Sequence, residues 1–254
     1  MVSAGLIAIV GMTATPPAPA GSPVAERAVP IVTGPMVTGP IGGAPVADLT
    51  PRPRTDVPVL LVPGWFDTAR DLAALRIRLL AAGWAHVRPL TFDDPTGSNR
   101  EHAAEIDSVV AEILAETGAS RVDIVAHSMG GLATRWYLKE HRPAPVRRVA
   151  FLASPHRGTL SAHFAWGEGR DEMMPESAFL DSLNVSPLLP EGLDAITIRT
   201  PIDTRVLPGE SATLPGVEDH LVCCPTHQGL LRHDDVFLIV ADFLERVGTP
   251  TASR

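Results

Sequence analysis

Short apolar runs alternate with segments of helical periodicity through most of this chain, and that alternation limits the fold more than any other feature. Four segments, one wholly apolar and three mainly so, have the length of a buried β-strand: 59–62, 87–90, 122–126 and 146–153. Three segments between them place apolar residues at helical spacing: 71–82, 106–114 and 132–140. Parallel strands need crossover connections of this kind. We therefore expect an α/β fold, with a mostly parallel central sheet and helices on both faces.

The alternation breaks between residues 154 and 193, where Gly, Pro, Met and aromatic residues follow no sustained period. We expect one short helix there, near residues 177–183. Because this excursion follows a strand, it should lie beside a cleft, either as a partial lid or as added core packed on the body. Strands at 195–198 and 220–222 and an amphipathic helix at 235–247 complete the domain.

The first 56 residues have a different composition from the rest. Residues 2–10 are mostly apolar and precede Ala18-Pro19-Ala20, which has the form of a signal cleavage site. Residues 21–56 are rich in Pro, Gly and Ala, which argues against regular structure. We predict a secretory signal at 1–20, a flexible leader at 21–56, a folded domain at 57–254 and a secreted protein. The alternative for residues 1–20 is an apolar tail with no targeting role.

The charge and the cysteine count exclude several classes of protein. A formal net charge of −8 argues against nucleic acid or an anionic membrane surface as a main partner. The only two cysteines, Cys223 and Cys224, are adjacent, so no long-range disulfide can form within one chain. Neither CxxC nor a zinc-type Cys/His spacing occurs. We expect two reduced thiols near a strand end; the alternative is a bridge between the two neighbours, which needs a strained ring.

The strongest chemical signal is the segment 126–131, Ala-His-Ser-Met-Gly-Gly, which joins a buried strand to a helix. Small neighbours allow a turn sharp enough to expose the Ser128 hydroxyl above the sheet, as in a nucleophile elbow. The Met129 amide then points at developing negative charge. The alternative is an ordinary serine in a Gly-rich turn, but the strand–turn–helix context favours a nucleophile.

An activated serine needs a base, and the base needs an orienting acid. At such an elbow the acid and then the histidine follow the serine along the chain. Asp203 comes after strand 195–198 and His227 after strand 220–222, so both should lie at the sheet edge where Ser128 emerges. The rival acids fit this order or placement less well: Asp93, Asp94 and Asp219.

A second oxyanion donor should come from the loop after the first strand. Gly64 allows close backbone approach there, and the amide of Trp65 is our candidate beside that of Met129. We expect Phe66 to bind substrate and, with the Trp65 side chain, to wall the acyl site; the alternative is that both rings are simply core.

Residues of the excursion are further candidates for substrate contact. We expect Phe164 and Met174 to wall an acyl pocket, since the segment holds too many apolar side chains for a fully solvated loop. His156 and His163 follow a strand and should line the same cleft.

Four segments together resemble the class 2 bacterial lipases of the α/β-hydrolase superfamily, of the secreted actinobacterial type. They are 59–64 (VLLVPG), 126–131 (AHSMGG), 152–159 (LASPHRGT) and 174–180 (MPESAFL). The resemblance implies an α/β-hydrolase fold and hydrolysis of lipid esters, with Ser128, Asp203 and His227 as catalytic triad. Pro63 departs from the pattern, since many members have His before the Gly.

The prediction is thus a serine carboxylic ester hydrolase, a lipase or esterase, that forms an acyl-enzyme intermediate. We expect no cofactor and no metal, a small-molecule or lipid ester as substrate, no stable membrane insertion and a monomer. An acyltransferase or thioesterase would use the same triad. A non-catalytic binding protein on this scaffold is the alternative from another class.

Overall fold

The central sheet is parallel throughout. The structure, a computed structural model, describes residues 56–246. In this part of the chain, six strands pair in the order β2-β1-β3-β4-β5-β6. They are β1 (Val59–Val62), β2 (Val87–Pro89), β3 (Val122–His127), β4 (Val146–Leu152), β5 (Asp194–Arg199) and β6 (Glu218–Leu221). The predicted α/β class is confirmed. The signal and leader predictions lie outside the described residues.

Helices connect these strands. They are α1 (Ala73–Ala81), α2 (Asn99–Thr117), α3 (Gly130–Glu140), α4 (Glu168–Met173), α5 (Ala178–Leu183) and α6 (Asp234–Glu245). Local chemistry sets the ends of α2, because the Ser98 side chain accepts a hydrogen bond from the Arg100 N–H and Gly118 ends the helix at φ 70°. No helix within residues 56–246 combines the length and hydropathy that crossing a bilayer requires.

The core lies on both faces of the sheet, and β1 shows how the sequence divides it. All four residues of β1 are fully buried. Val59 and Leu61 pack in the cluster that α1 and α6 cover, whereas Leu60 and Val62 pack in the cluster of α2 and α3. Burial of each such side chain contributes about 1.5–3 kcal/mol. Because β1 is apolar on both faces, it lies inside the sheet between the two helical layers. The loop at its carboxyl end is thereby fixed at the edge of the sheet.

The excursion at 154–193 is more ordered than the sequence predicts. The expected helix is α5, but α4 and a 3₁₀ turn at Leu160–Phe164 precede it. The Glu172 carboxylate holds α4 against the start of α2, accepting hydrogen bonds from Ser98 Oγ (2.9 Å), Asn99 N (2.6 Å) and Asn99 Nδ2 (2.8 Å). The segment therefore packs on the body of the domain through contacts distant in sequence.

Cys223 and Cys224 lie one residue beyond the end of β6 and are joined as a vicinal disulfide. This differs from the expected pair of reduced thiols. The expectation came from adjacency in the sequence alone, which does not reveal how the backbone turns the two side chains toward each other.

The junction between β1 and α3 yields a stability prediction. A Cβ atom at Gly130 would overlap the carbonyl oxygen of Pro63 and lie 2.9 Å from Val62 Cγ1. Gly130→Ala should therefore lower the free energy of unfolding by about 1–3 kcal/mol, as overpacking of a core does. Urea denaturation measures this change.

Gly209→Ala is the matched control, because a Cβ atom at Gly209 would meet nothing within 4 Å. Equal stability of the two variants would contradict the close packing inferred at Gly130.

Candidate active site

Ser128 lies at the carboxyl edge of the sheet, directly after β3 and two residues before α3 begins. Its φ of 53° is in the left-handed region, which costs a non-glycine residue roughly 1–3 kcal/mol. A hydrogen bond from the Ser128 N–H to the Leu152 carbonyl, 2.8 Å long, holds the turn in place. The strained turn is the geometry that presents a nucleophile above a sheet.

Asp203 and His227 meet at the same edge, after β5 and β6. His227 Nδ1 lies 2.8 Å from Asp203 Oδ2, and both residues are buried. The other oxygen of Asp203 accepts the backbone N–H groups of Arg205 (2.7 Å) and Val206 (2.9 Å). These bonds fix the orientation of the carboxylate, which in turn fixes the orientation of the imidazole.

The electrostatics of this pair suit a general base. Burial lowers the pKa of His227, and the hydrogen bond to Asp203 offsets this only in part. Burial alone would raise the pKa of Asp203, but the hydrogen bonds from His227 and the two backbone amides bring it below its usual value. At neutral pH the arrangement is thus a carboxylate beside a neutral imidazole, which can accept a proton.

Ser128 and His227 both line a cavity of about 760 Å³. The loop after β1 and the excursion supply most of the other lining residues, and these include four aromatic side chains. The aromatic lining residues are Trp65, Phe66, Phe164 and Trp166. A cavity lined by Ser128 and His227 together with aromatic side chains can bind the polar and the apolar part of one small molecule.

In the part of the chain that the structure describes, the backbone N–H groups of Trp65 and Met129, predicted as oxyanion donors, lack the hydrogen bonds that neighbouring N–H groups make. In the loop after β1, Phe66 N–H donates to the Pro95 carbonyl and Asp67 N–H to that of Gly64. Among residues 56–246, no acceptor takes the backbone N–H of Trp65 or Met129. Trp65 lines the cavity, whereas Met129 is fully buried and is not among its lining residues.

The residues predicted to touch substrate divide into two groups. Phe66 and Phe164 line the cavity with side chains that are 59% and 89% exposed. Met174 packs instead against the apolar cluster around Met129 and Leu132, and its neighbour Met173 lines the cavity.

The two histidines of the excursion are not among the residues that line this cavity. His156 is fully buried and packs edge-to-face on Phe151 at 4.8 Å between ring centroids, while His163 is exposed. The prediction that they line the cleft is wrong, since His156 is buried in the core and His163 lies on the surface outside the cavity.

The rival acids have other partners. Asp94 binds the backbone and hydroxyl of Thr96, and Asp219 binds Thr197 and Arg199. Asp93 uses its backbone N–H to contact Glu105. Among the described residues, only Asp203 hydrogen-bonds to the His227 side chain. Within residues 56–246, no group of three or more His, Cys, Asp or Glu side chains is placed to hold a metal ion.

Three polar residues at this site were not predicted from the sequence: Asp67, His127 and Gln228. Asp67 lies in the cavity wall, with Oδ2 3.1 Å from His127 Nδ1 and Oδ1 2.6 Å from Gln228 Nε2. Two signals were present in the sequence. Asp67 follows β1, so it had to reach the same sheet edge, and His127 immediately precedes Ser128.

Comparisons with known proteins agree with this geometry. A family model described as the α/β hydrolase fold matches residues 57–177. Triacylglycerol lipases of Pseudarthrobacter phenanthrenivorans and Burkholderia plantarii are each 30% identical to the chain over 123 residues, 43% of its length. The aligned part covers 36% and 32% of those lipases, so the chain matches about a third of each relative.

Solved structures share the fold at lower identity. Aspergillus fumigatus lipase B superimposes with a TM-score of 0.66 at 20% identity, covering 78% of this chain and 55% of that one. Bacillus licheniformis lipase BlEst2 in its mature form gives 0.62 at 16%, covering 78% and 94%. The class 2 actinobacterial assignment stays a prediction. The six-stranded parallel sheet, the strained turn at Ser128 and the family match over residues 57–177 show that the chain has the α/β-hydrolase fold.

Proposed function

We propose that this protein is a serine carboxylic ester hydrolase of the lipase or esterase type, with lipid-like esters as substrates. The observation that carries the proposal is the buried hydrogen bond between Asp203 and His227. His227 lines the same cavity as Ser128, whose backbone is strained. The lipase relatives and the α/β-hydrolase fold support ester hydrolysis as the reaction class.

In the first half of the reaction, Ser128 Oγ attacks the ester carbonyl carbon while His227 Nε2 takes the hydroxyl proton. The tetrahedral oxyanion binds the free amides of Trp65 and Met129, and one such donor is worth about 2.7–4 kcal/mol at the transition state. His227 then gives its proton to the alkoxide. The alcohol leaves, and the acyl group stays on Ser128 as an ester.

In the second half, His227 accepts a proton from water, and the hydroxide formed attacks the acyl carbon. Collapse of that intermediate releases the carboxylic acid and restores the Ser128 hydroxyl with the proton held by His227. Throughout, Asp203 keeps Nδ1 of the imidazole protonated and stabilises the imidazolium.

The preference for lipid-like esters follows from the cavity walls. Phe66, Phe164 and Trp166 line the cavity and are each more than half exposed. Monomeric proteins seldom expose large apolar side chains together unless that surface binds something apolar. We infer that these rings contact the hydrocarbon part of the ester.

Ser128→Ala should reduce ester turnover on the order of 10⁶-fold, because it removes the nucleophile and leaves no alternative path to an acyl-enzyme. Hydrolysis of nitrophenyl butyrate measures the loss. Labelling by a fluorophosphonate should vanish in the same variant. Ser108→Ala, which alters an exposed hydroxyl on α2, is the control. A Ser128→Ala protein with more than about a tenth of wild-type turnover would disprove the assignment.

Asp203→Ala should lower turnover about 10⁴-fold, since the imidazole loses the group that fixes its tautomer. Asp94→Ala and Asp219→Ala remove carboxylates with other partners and should keep most of their activity. Steady-state kinetics on all three variants compares them directly. A larger loss in either of the last two would show that a different acid serves His227.

Phe164→Ala should lower kcat/KM for nitrophenyl palmitate about tenfold more than for nitrophenyl butyrate, because only the long chain reaches the apolar wall, and this factor corresponds to ~1.4 kcal/mol. Leu238→Ala is the control, since Leu238 is 61% exposed on α6 and does not line the cavity. Equal effects on both esters would show that Phe164 has no contact with the acyl chain.

A further inference from the structure

A second carboxylate–imidazole pair lies beside the triad, and the reaction steps above do not use it. Asp67 Oδ2 is 3.1 Å from His127 Nδ1, and the rings of His127 and His227 are 4.7 Å apart between centroids. His127 is 1% exposed and Asp67 9% exposed. Burial of a carboxylate is costly unless its hydrogen bonds are satisfied, so this pair needs an explanation.

The contacts of Asp67 link the three chain segments that carry the proposed chemistry. Asp67 itself follows the oxyanion candidate Trp65 by two residues. Its Oδ2 accepts from His127, the residue before Ser128, and its Oδ1 accepts from Gln228, the residue after His227, at 2.6 Å. His127 Nε2 also lies 3.4 Å from the His227 carbonyl oxygen. One carboxylate is thus bonded to the chain neighbour of the nucleophile and to that of the base.

The space around Gly64 shows how closely these segments pack. A Cβ atom there would lie 2.8 Å from Ser128 Cβ, 3.0 Å from Asp67 Oδ2 and 3.3 Å from His127 Nδ1. Since no side chain fits among them, the distance between the loop after β1 and the elbow is set by direct contact and by the hydrogen bonds of Asp67.

The charge of Asp67 also acts on His227. Burial alone would raise the pKa of Asp67, but the hydrogen bonds from His127 and Gln228 bring it below its usual value, so this carboxylate is ionised at neutral pH. The ionisable groups that face His227 are Asp203 and Asp67, which favour the imidazolium, and His127, which opposes it.

We propose that Asp67 is a positioning residue for ester hydrolysis: through His127 and Gln228 it keeps the oxyanion loop, Ser128 and His227 in the geometry of reaction. The proposal rests on the proposed hydrolase function. Asp67 reaches the reacting atoms through its two partners, so its removal acts on kcat more than on substrate binding.

Asp67→Asn tests this role, because the amide keeps the size of the side chain but loses the charge and one acceptor. We expect kcat to fall on the order of 10²-fold, the effect of a small misplacement of reacting groups, with KM nearly unchanged. The acidic limb of kcat/KM should move to lower pH. The Asp67 anion raises the pKa of His227, so its loss lets the imidazole stay neutral in more acidic solution.

Asp94→Asn is the matched control for the pH profile. The Asp94 carboxylate binds the backbone and hydroxyl of Thr96, and Asp94 does not line the cavity. The acidic limb should therefore stay where it is in the wild type. Gln228→Ala, at an exposed residue, serves if Asp67→Asn fails to fold, and it should also lower kcat with KM unchanged.

Two outcomes would overturn the role of Asp67. One is a folded Asp67→Asn protein with wild-type kcat and an unmoved acidic limb. The other applies if Asp67→Asn cannot be purified: a Gln228→Ala protein whose kcat equals that of the wild type. Wild-type protein that neither cleaves esters nor reacts with a fluorophosphonate would overturn the hydrolase function as well, so the two failures are distinguishable.

Discussion

The turn from β3 into α3 reverses the chain within a few residues, and the rest of the site is arranged around it. Ser128 adopts a φ of 53° there, a conformation that must be held by its surroundings. Leu152 supplies an acceptor for its amide from the neighbouring strand, and Gly130 lets the carbonyl of Pro63 approach the start of the helix. Ser128 therefore packs as one unit with the carboxyl ends of β1 and β4, the strands on either side of β3. A change that loosens the turn loosens the sheet edge from which Asp203 and His227 extend.

Local pattern was sufficient to predict the strands and the longer helices. β1 has the predicted bounds, and β3 and β4 differ from the predicted runs by one residue each. β1 is an unbroken apolar run, and β3 and β4 are mainly apolar with charged residues only near their starts, at Asp123, Arg147 and Arg148, so all three are easily recognised. The pairing of Asp203 with His227 agrees with the chain order expected at an elbow.

Features that depend on contacts distant in sequence were missed. Helix α4 has only six residues, and the carboxylate that holds it, Glu172, binds partners 73 and 74 residues away. Asp67 was overlooked for a similar reason, because its two partners lie 60 and 161 residues further along the chain. Hydrogen bonds between residues so far apart in sequence leave no periodic pattern in the sequence. A search for every acid that follows a parallel strand would have included Asp67.

The hydrogen bonds of Glu172 have a consequence for how a ligand enters. They join the cleft-side segment to the first turn of α2, and the Gly169 N–H adds a bond to the Thr96 carbonyl of 3.0 Å. The wall is thereby assembled during folding, before any ligand arrives. A ligand then spends little of its binding free energy on ordering the protein. We infer that selectivity among ligands then depends on how well their shape matches the cavity, and that exposed rings such as Phe164 can adjust to them by rotation.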